Sequence, residues 1–291
     1  MNKAKYILLS LLLIVAVSFA GCVSKTAIEE QNQKFTVVAS FYPVYAIANY
    51  IMQGSVSTDL INLTNNNQGV CLHNYTLLPD DMATIEGADV FLTCGDDITS
   101  NVDVKNKVDI GSGLPEHCWM NLDDANQLAQ TIANTLADKD WANKTTYLEN
   151  ADNFSEAVKN EEASISGKVN SLSNKSVISL DDSLTVFAQG IGLSTITSST
   201  SSEANEGDLS YVPPDVADMA TNAEQAGTST IITLNVTDND ELNVITGELT
   251  DSGMTPNSVQ LSAVLSGDST PNDYFNQIDS NFNSLFSALS E

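Results

Sequence analysis

The chain has 291 residues and a formal net charge of −27, and among its strong bases lysine stands alone, with no arginine anywhere. Nucleic-acid binding needs a basic footprint that neutralises phosphates, so this composition excludes that class and disfavours anionic partners in general. Behind an export signal, about 270 residues remain, enough for two domains of ordinary size, each with its own core.

The start of the chain reads as an address. Lys3 and Lys5 precede an apolar run over 6–19, and Phe19-Ala-Gly-Cys22 follows, small residues leading to a cysteine. That layout predicts a lipoprotein signal peptide over 1–21 and a lipidated Cys22; an uncleaved signal anchor is the alternative. In either case the body is expected on the extracytoplasmic face of the cell membrane, lipid-anchored in the first reading. Residues 22–34 are polar and read as a flexible tether.

Beyond the tether the pattern alternates. A β-branched run predicts a strand over 35–40. Apolar residues at helical spacing (Val44, Ile47, Ala48, Ile51) predict a helix over 42–52, closed by Gly54. A strand over 58–63, a short helix over 79–87, a buried strand over 88–94, a strand over 108–110 and an amphipathic helix over 121–138 follow. Residues 144–172 form a long polar stretch with apolar positions near helical spacing, from Tyr147 through Phe154 and Val158 to Ile165, and predict a single long helix. The alternation then restarts: strands over 176–180, 195–197, 229–234 and 258–261, with helices over 183–190, 214–226, 241–252 and 273–289. The expected architecture is α/β, two Rossmann-like lobes, each a mainly parallel sheet flanked by helices. They span 35–143 and 173–291 and are joined by the helix over 144–172.

Two segments carry chemistry. Cys71-Leu-His73-Asn-Tyr-Thr-Leu-Leu-Pro79 and Pro115-Glu-His117-Cys-Trp-Met-Asn121 hold the only two histidines of the chain. Each lies in a loop after a strand of the first lobe, at the carboxyl edge where open α/β sheets bind ligands. Neutral imidazole is the commonest metal-binding side chain.

These segments resemble those of the solute-binding proteins of zinc and manganese ABC importers. Ala39-Ser-Phe-Tyr-Pro-Val-Tyr45 is similar to the family's opening motif, His73-Asn-Tyr-Thr-Leu-Leu-Pro79 with Gly87-Ala-Asp89 to its first histidine motif, and Glu116-His-Cys-Trp-Met-Asn121 to its second. The resemblance implies His73 and His117 as metal ligands. In the second lobe it is looser. Asp181 stands where the family has a third histidine, Ser262 where it has a carboxylate, and Asn235 where members often carry a glutamate. The implied metal set is therefore His73, His117 and Asp181, with Asp182 close by. Such a shell is incomplete for a closed zinc site and richer in oxygen, which suits a harder ion such as manganese.

Cys71 and Cys118 adjoin the two histidines. They are expected either to form a disulfide that staples the ligand loops or to serve as thiolate ligands, and both readings stand. Cys94, at the end of a strand, reads as a small core residue. The function implied is capture of a divalent metal ion, zinc or manganese, as cargo between the lobes and delivery to an ABC permease by a membrane-tethered monomer. A family member with a degenerate site, binding another cargo or serving an adhesion or structural role, is the alternative. No Gly-rich elbow or oxyanion motif accompanies the cysteines, so catalysis is not expected.

Overall fold

The computed structural model describes residues 34–64, 75–95, 99, 102–198, 213–234 and 240–290. Cys22, Cys71, His73 and Asn235 lie outside the described residues.

In the first lobe, β1 (Phe35–Ala39), β2 (Thr58–Asn62), β3 (Val90–Thr93) and β4 (Lys107–Asp109) form a four-stranded sheet in the order β2-β1-β3-β4. Every pairing is parallel, with Val37 opposite both Leu60 and Val90. Val37, Val38, Val90 and Phe91 are fully buried, as expected for a sheet covered on both faces. The covering helices are α1 (Tyr42–Ile51), α2 (Pro79–Gly87) and α3 (Leu122–Lys139). The second lobe repeats the plan. Its strands β5 (Ser176–Ser179), β6 (Ser194–Ile196), β7 (Thr230–Leu234) and β8 (Asn257–Leu261) run in the order β6-β5-β7-β8, again all parallel. Helices α5 (Asp182–Gly190), α6 (Pro213–Ala226), α7 (Asp240–Asp251) and α8 (Asp273–Leu289) flank it.

The long helix α4 (Lys144–Val169) stands between them. It buries Tyr147, Ala151, Phe154, Val158, Ile165 and Val169, a stripe of threes and fours along one face. Ala163, between Val158 and Ile165, is exposed, and Val169 takes the last place on the stripe. Phe154 shows why α4 is more than a connector. Its ring meets Tyr50 of α1 at 5.1 Å and Phe275 and Tyr274 of α8 at 4.7 and 5.7 Å. One apolar cluster therefore runs from Val37 in the first sheet through Phe154 to Leu261 and Leu285 in the second lobe. Separating the lobes would expose this cluster, at about 25 cal/mol for each Å² of apolar surface. The fold thus favours a stiff two-lobed body.

Candidate metal centre

In each sheet the chain order reverses between two neighbouring strands, β1 and β3 in the first lobe and β5 and β7 in the second. Crevices at such reversals bind ligands in this class of fold. The loops leaving β4, β5, β7 and β8 all emerge at this edge.

His117 ends the loop after β4. Its backbone is left-handed, φ 55° and ψ 24°, and it caps a single 3-10 turn, Cys118–Met120. A non-glycine residue in that region is uncommon and marks a locally determined geometry. Two contacts of the turn fix it. The Trp119 indole stacks edge-on against His117 at 5.3 Å and against Phe41 at 5.1 Å. Asn121, the last residue of the motif, is the N-cap of α3, where its side-chain oxygen accepts from the backbone N–H groups of Asp123 and Asp124 at 2.9 and 3.2 Å. The motif's asparagine is thus a capping residue. Held this way, the His117 Nδ1 is buried and has no hydrogen-bond partner among the described residues.

Asp181 directly follows Leu180 at the end of the β5 edge and is the N-cap of α5. Its Oδ1 accepts from the Leu184 N–H at 3.1 Å and from the Ser183 hydroxyl in a short hydrogen bond. One carboxylate oxygen therefore closes the helix start. Asp182, one step on, sits in the field of His117. Partial burial pushes its carboxyl above the usual range, the charges of Asp181 and Glu116 add to the rise, and His117 opposes it. Glu241, in the first turn of α7, belongs to the same group: burial raises its carboxyl, and the charges of Asp181 and Asp182 raise it further.

Sequence reasoning missed Glu241. The signal was present, since it begins a helix just past the carboxyl end of β7, but an acidic residue in a first helical turn is also ordinary dipole pairing. Ser262 does not stand in for a carboxylate. Its hydroxyl donates to Gln277 Oε1 at 2.7 Å and accepts from the Val264 N–H at 2.9 Å, and Asn281 brackets its backbone on both sides. This turns Ser262 toward α8 and builds the tight turn in which Val264 takes φ 60°.

Of the residues expected in the site, Asp182 interacts electrostatically with both His117 and Asp181, and Glu241 with Asp181 and Asp182. Among the described residues no group of three or more His, Cys, Asp or Glu side chains is placed to hold a metal ion. Of the cysteines, Cys94 and Cys118 are described. Cys118 is 2% exposed, and its Sγ lies 3.5 Å from the Sγ of Cys94, both as thiols.

A family model described as "Zinc-uptake complex component A periplasmic" matches residues 37–288. The chain belongs to that family. No curated protein sequence matches it. Among solved structures, the zinc-uptake fold is shared with the laminin binding protein (Lmb) of Streptococcus agalactiae, described as bifunctional with adhesin and metal transporting activity. The TM-score is 0.75 at 20% identity, over 88% of this chain and 99% of that one. It is shared with a Zn(II)-bound variant of AdcAII from Streptococcus pneumoniae, at 0.70 and 18% over 88% and 99%. A Mn-bound variant of a periplasmic metal binding protein from candidatus liberibacter asiaticus matches at 0.71 and 16%, over 88% and 100%. The zinc-uptake family is extracytoplasmic by its description, and no described helix of this chain is long and apolar enough to cross a membrane.

Proposed function

We propose that this chain captures a divalent transition-metal ion, zinc or manganese, in the cleft between its lobes and presents it to an ABC permease. His73 and His117 are the ligands of the first lobe; Asp181 is the ligand of the second, with Glu241 as a further oxygen donor. The observation that carries this reading is the Nδ1 of His117, unpartnered among the described residues, beside Asp182, whose carboxyl interacts with His117, Asp181 and Glu241. Carboxylates gathered in a half-buried space repel one another, and a dication relieves that repulsion where a proton otherwise must. Asp181 Oδ1 is engaged at the helix start, so this residue serves the ion through its other oxygen. Imidazole from one lobe and carboxylate from the other make a mixed shell, which leans toward manganese over zinc.

The chemistry is capture, with no bond made or broken in the cargo. Ligands drawn from both lobes let binding bias their relative orientation, which a permease can read. The continuous apolar cluster through α4 keeps that change small. Export through the 1–21 signal and lipidation of Cys22 hold a monomer at the extracytoplasmic face of the cell membrane, where the permease lies. The −27 net charge keeps cations near the surface without selecting among them.

Elemental analysis of protein purified without chelator, followed by calorimetric titration of the apo form with zinc and manganese, tests this reading. One metal per chain is expected, with at least a hundredfold loss of affinity in His73→Ala and in His117→Ala. Protein that takes up neither metal, or His117→Ala that binds as the parent does, would overturn it.

A further inference from the structure

We propose that Cys94 and Cys118 form a disulfide in the extracytoplasmic protein, tying the carboxyl end of β3 to the turn that carries His117. The two sulfurs are already in contact at 3.5 Å, and the two residues are 7% and 2% exposed. A bond at disulfide distance needs an approach of about 1.5 Å, within the reach of side-chain torsions.

The surroundings hold Cys94 in this place. Asp109 at the end of β4 accepts from the Gly95 and Gly111 N–H groups at 2.9 and 3.0 Å, which clamps the segments after β3 and β4 side by side. Gly111 then lies against Cys94 so closely that a Cβ there would come within 2.6 Å of the Cys94 Sγ. The residue without a side chain is what lets the Cys94 sulfur turn toward Cys118. On the other side, Trp119 and Met120 are buried and seat the 3-10 turn, so the Cys118 sulfur has little freedom to point elsewhere. The bond would close a loop of about 25 residues containing β4 and the whole approach to His117.

The oxidant is a low-molecular-weight disulfide of the kind found outside the cytoplasm. The Cys94 thiolate attacks it, forms a mixed disulfide and releases one small thiolate. The Cys118 thiolate then attacks the Cys94 sulfur of that mixed disulfide and expels the second. Two protein thiols lose two electrons and two protons, and the small disulfide gains both to become two thiols. Burial of the sulfurs places this reaction in the folding chain or a locally opened one, and protects the product afterwards. The consequence is positional: the residue before the crosslinked Cys118 is His117, whose left-handed backbone is then held by a covalent anchor.

The crosslink is independent of metal occupancy, so it and the proposed function can fail separately. Full-length protein is exposed to oxidised glutathione, alkylated without reduction, digested and mapped by mass spectrometry. A linked peptide pair containing Cys94 and Cys118 is expected, with Cys71 alkylated. In thermal melts, reductant should lower the Tm of the oxidised parent and of Cys71→Ser by about 5–10 °C, the effect of opening such a loop in a chain of this size. Cys94→Ser and Cys118→Ser should show no such response. A Cys71–Cys118 or Cys71–Cys94 pair, or full alkylation of Cys94 and Cys118 after oxidation, would overturn the proposal.

Discussion

The Trp119 indole Nε1 donates to the backbone carbonyl of Ala263 at 3.0 Å, and the Tyr274 hydroxyl donates to the Trp119 carbonyl at 2.8 Å. Residues 119 and 263 belong to different lobes, and each lies two positions or fewer from a place where the family puts a metal ligand. The tryptophan therefore bridges the two lobes beside His117. Trp119→Phe keeps an aromatic surface against Phe41 but removes the donor and leaves the buried Ala263 carbonyl without it. We expect a stability loss of about 1–3 kcal/mol, read as a lower midpoint in urea, together with weaker metal binding. An unchanged midpoint would show that the bridge contributes nothing to lobe docking.

Tyr42 makes the second bridge. Its hydroxyl donates to Asp273 Oδ2 at 2.5 Å and accepts from the Ser269 N–H at 3.1 Å. Asp273 is 5% exposed and receives a further bond from Gln277 at 2.7 Å. Burial, reinforced by the Asp273 carboxylate, pushes the Tyr42 hydroxyl far above its ordinary range, so it remains a donor at every working pH. Tyr42→Phe would strip a buried carboxylate of a charge-assisted bond, at a cost of about 2–3 kcal/mol. Gly267→Ala attacks the same place sterically, since a Cβ there would overlap Asp273 Oδ2 and the Tyr42 hydroxyl. Denaturant melts should show both variants destabilised, and the double variant losing less than the sum of the two.

Ser262 offers a contrasting outcome. Because its hydroxyl is engaged by Gln277 and Val264, it supports the β8–α8 turn rather than the ion. Ser262→Ala should lower stability by about 1 kcal/mol and leave metal affinity within about threefold of the parent. Calorimetry on the folded variant decides this, and a tenfold loss of affinity would make Ser262 a ligand after all.

The fold was legible because each element carried its own signal. The β-branched run before Ala39 became β1, the period of Val44, Ile47 and Ile51 became α1, and the stripe from Tyr147 to Ile165 became α4. The site readings came by different routes. His117 was singled out by its residue type and its loop after a strand, and Asp181 only by the resemblance, in the place of the family's third histidine. Glu241 was hidden because nothing local separates an acidic N-terminal helix residue that faces a cleft from one that faces water. The Cys94–Cys118 contact was hidden for another reason. It depends on β3 and β4 lying side by side and on Gly111 making room, and neither follows from the spacing of the cysteines.

The helix α4 carries two adjacent glutamates, each set against an aspartate of a different lobe. Burial raises the Glu161 carboxyl above its usual value, and the charge of Asp279 on α8 adds to this, while Lys168 opposes it. Burial likewise raises Glu162, with Asp123 of α3 adding to the effect. A carboxyl whose folded value lies above its unfolded one binds more protons when folded. Its penalty is therefore present at neutral pH and is relieved as pH falls through the folded value. Acidification from pH 7 toward about pH 5 should thus raise the Tm of the chelated apo protein through these pairs. Glu161→Gln and Glu162→Gln should each raise the Tm at pH 7, and the gain over the parent should shrink as the pH approaches the ordinary carboxylate range. Both pairs are partly exposed, so added salt should diminish the neutral-pH gain. Melts of the parent and both variants across pH 4–7 supply the check. A glutamine variant less stable than the parent at pH 7 would mean that the pair shares a proton favourably enough to hold α4 to its lobe.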